Sequence, residues 1–159
     1  MKKLFLIFAI IMFLSANTFA QNKNEKQIVM NEVYQFLKES GTYYLATNDG
    51  NQPRVRPFGT INIFDGKLYI QTGRKKNVAQ QMISNPKIEI CAMLGNKWIR
   101  IEATVIEDNR LAAKESMLNA YPSLKSMYSA TDENTMVLYL TEVTASIYDF
   151  GSETKILKF

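Results

Sequence analysis

The sequence predicts a mainly β, α+β domain in which six or seven short antiparallel strands, joined by hairpins, roll into a barrel with a few flanking helices. Three observations carry this. Short apolar or alternating segments recur along most of the chain. Turn pairs such as Asp49-Gly50, Asp65-Gly66 and Gly95-Asn96 separate them, and tight hairpin turns need the positive φ that these residues tolerate. A sheet of so many short strands exposes its edges unless it closes on itself.

The elements follow in order. Residues 1–20 read as an export signal: Lys2 and Lys3 are the positive flank, Leu4 to Leu14 an unbroken apolar run, and Thr18 and Ala20 the small residues ahead of a cleavage site. Cleavage after Ala20 would leave Gln21 first and place the mature protein in the periplasm by the general secretion route. The apolar run falls short of the roughly 20 residues that span a bilayer, and no cysteine follows it to carry a lipid, so no stable membrane anchor is expected. Were Met30 the true start, the protein would be cytoplasmic. Residues 21–29 are a polar connector, and residues 30–159 the domain.

Met30, Val33, Tyr34 and Leu37 fall at helical spacing, predicting a helix from Ile28 to Ser40 that stops at Gly41. Strands are expected at Gly41 to Asn48, Gln52 to Phe64 and Lys67 to Thr72. A second helix, Asn77 to Ser84, is stopped by Asn85-Pro86. Strands from Lys87 to Leu94 and Lys97 to Glu107 precede a third helix, Arg110 to Ala120, with Asn109 as its N-cap and Tyr121-Pro122 as its breaker. A polar stretch leads to strands from Leu138 to Tyr148 and Thr154 to Phe159.

Composition excludes several functions. The 159-residue chain has no histidine and one cysteine. Ser-His-Asp and Cys-His nucleophile systems, histidine zinc sites and a haem on a proximal histidine are therefore closed to it. No metal site is expected. Cys91 lies in the apolar run KIEICAML and reads as a small buried hydrophobe. Without residues 1–20 the charge is +2, too near neutral to argue for nucleic acid. Chemistry, if present, belongs to a bound organic cofactor.

Three segments point to a ligand. In PRVRP, Arg54 and Arg56 share one face of a strand while Val55 points the other way, and two guanidinium groups suit a phosphate or another dianion; a solvated arginine pair is the competing reading. Pro53 and Pro57 lack amide protons and belong on an edge. In YIQTGRKKN a strand ends in Gln71 and Thr72, followed by Gly73 and cations that include Lys75 and Lys76, just before the helix at Asn77. Free amides at a helix start attract anions, although a basic solvated turn would look the same. In WIRIEATV, Trp98 and Arg100 share a face, where they could flank a flat aromatic ligand or, for Trp98, pack a core.

From about Met30 to Phe159 the chain resembles the pyridoxamine 5′-phosphate oxidase-like, FMN-binding split-barrel family, in its small branch related to nitroimidazole-resistance proteins. GTYYLAT, QPRVRPFG, LYIQTGRKKNVAQQM, NPKIEIC and WIRIEATV carry the resemblance by their order and spacing. It implies a split β-barrel homodimer with FMN in two clefts at the subunit interface, and an FMN-dependent oxidoreductase acting on a small, aromatic or quinone-like substrate. A flavin carrier or sensor without turnover is the alternative. Arg54, Val55, Arg56 and Pro57 would line the flavin. Gln71, Thr72, Lys75, Lys76 and Asn77 would approach its ribityl phosphate, and Trp98 and Arg100 would reach across from the partner. The tail YDFGSETKILKF lacks the tryptophan-to-arginine substrate motif of true pyridoxamine-phosphate oxidases, which argues against that substrate. Nitroimidazole reduction and haem degradation as relatives perform them use histidine, which this chain lacks.

Overall fold

The computed structural model describes Gln21 and residues 23–159. The expected export signal, residues 1–20, lies outside the described residues. Helix α1 (residues 23–40) buries Met30, Val33 and Leu37 of the expected stripe, with Tyr34 half-buried beside them and Phe36 buried as well. It begins earlier than Ile28, inside the expected connector. Lys23, Glu25 and Lys26 are exposed there; they favour helix without an apolar period to announce it. The Ser40 hydroxyl donates to the Phe36 carbonyl at 2.8 Å, and Gly41 leaves the helix at φ +69°.

The remaining elements are β1 (Tyr43–Asp49), β2 (Gln52–Phe58), β3 (Asn62–Phe64), β4 (Lys67–Gly73), α2 (Asn77–Ser84), β5 (Lys87–Leu94), β6 (Lys97–Glu107), α3 (Leu111–Ala120), a 3-10 turn (Pro122–Ser126), β7 (Thr135–Asp149) and β8 (Lys155–Lys158). All pairings are antiparallel, in the order β2-β1-β5-β6-β7-β4-β3, and β8 also pairs with β7. The two ends of this path, β2 and β3, are consecutive in sequence, so the short bend between them brings the sheet edges together as a split barrel.

That bend divides the expected strand Gln52 to Phe64. Side chains satisfy its backbone in place of a neighbouring strand: the Tyr43 hydroxyl donates to the Thr60 carbonyl at 2.7 Å, and the Tyr121 hydroxyl meets both the amide and the carbonyl of Ile61 at 3.0 Å. Burial pushes the Tyr43 phenol well above its ordinary pKa, so it stays a donor. At α3 the N-cap is Arg110 rather than Asn109, and the Asp108 carboxylate accepts the Arg110 amide at 3.0 Å.

The main core fills the barrel with Leu45, Leu68, Ile70, Ile90, Ile99, Ile101 and Leu138, closed by α1 and by Val78, Ala79 and Met82 of α2. Each such fully buried aliphatic side chain contributes about 1.5–3 kcal/mol. A smaller cluster, Tyr69, Ala113, Met117 and Val137, packs α3 on the outer face of β4 and β7. Cys91 is exposed, contrary to expectation. Strand alternation turns Ile88, Ile90 and Ala92 inward, and Cys91 and Met93 outward, within one apolar run.

Candidate functional site

The β2–β3 bend, the end of β4, the start of α2 and the 3-10 turn enclose a cavity of about 250 Å³. Arg56, Pro57, Gln71, Thr72 and Lys76 are among the residues that line it.

Arg56 is the fixed charge of the site. Strand alternation points it to the same face as Arg54, and α2 then lies within its reach. Its Nη1 donates to Thr47 Oγ1 at 2.6 Å and its Nη2 to Gln81 Oε1 at 2.8 Å, while the Thr47 hydroxyl donates to the same Gln81 oxygen at 2.6 Å. Both partners are neutral, and no carboxylate among the described residues forms an ion pair with it. Burial, with a smaller contribution from Arg54, lowers the Arg56 pKa from a value so high that the group keeps its charge. The guanidinium is held in place while its charge stays available to an anion.

Lys76 stands at the N-cap of α2, whose first turn carries no acidic residue and whose cap makes no side-chain hydrogen bond. The unpaired amides there add a partial positive charge to that of the lysine. Gln71 completes the inner wall. It is 5 % exposed, and neither its Oε1 nor its Nε2 has a partner. A buried amide left unpaired costs about 1–3 kcal/mol, and both of its polar atoms are closed off from solvent, so Gln71 has to turn toward the cavity to meet a polar group there.

The other expected residues lie elsewhere. Arg54 is exposed and its Nε donates to Asp49 Oδ2 at 3.3 Å. Val55 points outward and is 64 % exposed. The Lys75 amide donates to Asn134 Oδ1 at 3.1 Å, and its side chain is exposed. Asn77 borders a separate polar cavity of about 350 Å³ with Asn48, Asp49 and Gln80. Trp98 stacks on Tyr148 at 4.9 Å between ring centroids, and Arg100 Nε donates to Glu89 Oε1 at 2.7 Å, both on the outer face of the sheet. Leu124, Met127 and Tyr128 also line the first cavity. Sequence reading missed them because they sit in a polar stretch with no periodicity, and only the packing of the turn brings them to the cavity, Leu124 and Tyr128 half-buried and Met127 exposed at its rim.

The sheet and its cleft define a split-barrel protein with an anion-ready site. A family model described as Pyridoxamine 5′-phosphate oxidase matches residues 29–144, and the chain belongs to that family. A NimC/NimA family protein from Clostridium acetobutylicum is 44 % identical, with a TM-score of 0.84 over 87 % of this chain and 98 % of that one. Two more distant structures share the fold. One is a pyridoxamine 5′-phosphate oxidase-related, FMN-binding protein from Nostoc punctiforme, 16 % identical, TM-score 0.54, over 77 % of this chain and 82 % of that one. The other is the haem storage protein HutZ from Vibrio cholerae, 16 % identical, TM-score 0.55, over 69 % and 87 %. No curated protein matches the chain.

Proposed function

We propose that this protein is an FMN-dependent oxidoreductase that works as a homodimer on a small molecule other than pyridoxamine phosphate. The observation that carries the reading is the convergence, in one cleft, of an unneutralised Arg56, the Lys76 helix start and the unpartnered amide of Gln71. Arg56 and Lys76 would hold the phosphate, and Gln71 a ribityl hydroxyl or the polar edge of the ring. Bound flavin supplies hydride or electron transfer. The chain's own residues bind it, orient it and exclude water.

A cavity of about 250 Å³ is smaller than the roughly 300–1,000 Å³ of an ordinary small-molecule site, which supports completion by a second copy. The outer sheet face suits that role: Tyr44, Val55 and Met93 are exposed on it, beside the stacked Trp98 and Tyr148, and Phe150, in the turn after β7, lies exposed against Trp98. Trp98 and Arg100 would meet the partner's flavin there. Export would make the protein dependent on periplasmic flavin. Haem, the ligand of HutZ, would need an axial group other than histidine.

A second reading, a flavin carrier or sensor, is favoured by a cleft lining with no carboxylate, thiol or imidazole. The test is the visible spectrum of residues 21–159 after incubation with FMN and desalting, followed by reduction with a nicotinamide cofactor. Flavin bands co-eluting with a dimer, reduced and then reoxidised by an acceptor, support the enzyme. Bound flavin that no donor reduces supports the carrier. A colourless protein sinks both.

A further inference from the structure

The turn after α3 holds none of the motifs that carry the family resemblance, yet it brings a phenol to the cleft that Arg56 and Lys76 line. The Tyr128 amide donates to the Leu124 carbonyl at 2.9 Å, which fixes Tyr128 at the end of the turn, and its side chain lines the cavity with Arg56 and Lys76. Gly73 lies directly before the α2 entrance, where its carbonyl accepts the Lys76 amide at 3.0 Å. A Cβ on Gly73 would sit 3.1 Å from the Tyr128 oxygen and 3.3 Å from both amide atoms of Asn134. The Asn134 carbonyl accepts the Arg74 amide at 2.7 Å, and its Oδ1 accepts the Lys75 amide at 3.1 Å, so this loop grips the turn that leads into α2. The Tyr128 hydroxyl makes no hydrogen bond among the described residues, and the missing Cβ gives it room beside the helix start. Gln71, whose amide is buried without a partner, is among the residues of the same lining.

We infer that Tyr128 is an anion-binding residue whose hydroxyl donates to the phosphate of FMN next to Arg56 and Lys76, so that the turn after α3 selects phosphorylated over unphosphorylated flavin. This rests on the flavin reading above. A phenol donating to a phosphate oxygen is a charge-assisted hydrogen bond, among the stronger kind.

The experiment measures dissociation constants for FMN and for riboflavin, by quenching of flavin fluorescence, with the wild-type chain, Tyr128→Phe and Gly73→Ala. Tyr128→Phe is expected to weaken FMN binding roughly tenfold or more and to leave riboflavin within about twofold. Gly73→Ala is expected to weaken FMN in the same direction: its backbone is outside the left-handed region, so the methyl group acts by crowding its neighbours, the Tyr128 hydroxyl first and then the Asn134 amide. Retained riboflavin binding is the control for folding. Variants that bind FMN as the wild type does, or lose both flavins in parallel, overturn the role of Tyr128 and leave the flavin reading standing. A wild type that binds neither flavin overturns both.

Discussion

Replacing Gln71 by methionine should make the empty protein more stable and the flavin-binding protein worse. Gln71 is 5 % exposed, and its two polar side-chain atoms are left unpaired; Thr135 Oγ1 is the other such atom among the described residues. Methionine has nearly the same length and flexibility, so Gln71→Met removes the polar penalty without opening a cavity. Relief of a buried unpaired amide is worth about 1–3 kcal/mol. For a chain of this size each kcal/mol moves the midpoint by about 2–4 °C, so Tm of the flavin-free protein should rise by several degrees. The lost hydrogen bonds should weaken FMN by roughly tenfold, which also shrinks the stabilisation that added FMN gives, about 2.7 kcal/mol at a hundred times Kd. Differential scanning fluorimetry with and without FMN reads both effects. A flavin-free Gln71→Met protein that melts lower than wild type, or one with unchanged FMN affinity, would refute the idea that this amide is kept unpaired for a ligand.

Two further outcomes follow. The Asp108 carboxylate accepts the Tyr69 hydroxyl at 2.8 Å and Arg110 Nη2 at 2.8 Å, and chiefly the Arg110 hydrogen bonds hold its carboxyl well below the usual range, while burial and the bond to Asp108 push the Tyr69 phenol up to about 12. A depressed carboxylate contributes stability that is fully present above its unfolded pKa of about 3.9 and is lost as the pH falls through the folded value. Asp108→Asn should therefore cost about 1–3 kcal/mol at pH 7 in urea denaturation, with the gap to wild type narrowing below about pH 4; a gap that widens in acid would contradict the assignment. On the outer sheet face, Met93→Glu places a charge among exposed apolar side chains and should weaken a dimer at least tenfold by analytical ultracentrifugation, whereas an unchanged association constant would move the interface elsewhere.

The residues that made the fold legible are those whose environment is local. Alternation in Lys87–Leu94 and Lys97–Glu107, the Asn85-Pro86 stop and the Asp-Gly turns placed strands and helices because pleat, helix pitch and positive φ act over a few residues. The break between β2 and β3 was not legible, since its backbone is satisfied by Tyr43 and by Tyr121, the latter sixty residues away. Cys91 misled for a related reason. An apolar residue in an apolar run is buried only if its face of the sheet is covered, and that is settled by what packs against the sheet.

The sequence by itself determined the three helices, the strands apart from the β2–β3 break, the exclusion of histidine chemistry, and the arginine and lysine segments from which the candidate site is made. Tertiary structure decided which of those cations count. Arg54 is neutralised by Asp49, while Arg56 is held by the neutral side chains of Thr47 and Gln81. The two arginines are chemically identical and two residues apart, so nothing local separates them. What separates them is where the charges and neutral acceptors of other elements fall, because electrostatic environment depends on distance in space and on burial. The same holds for Tyr128, brought to the cleft by a turn whose own sequence shows no pattern.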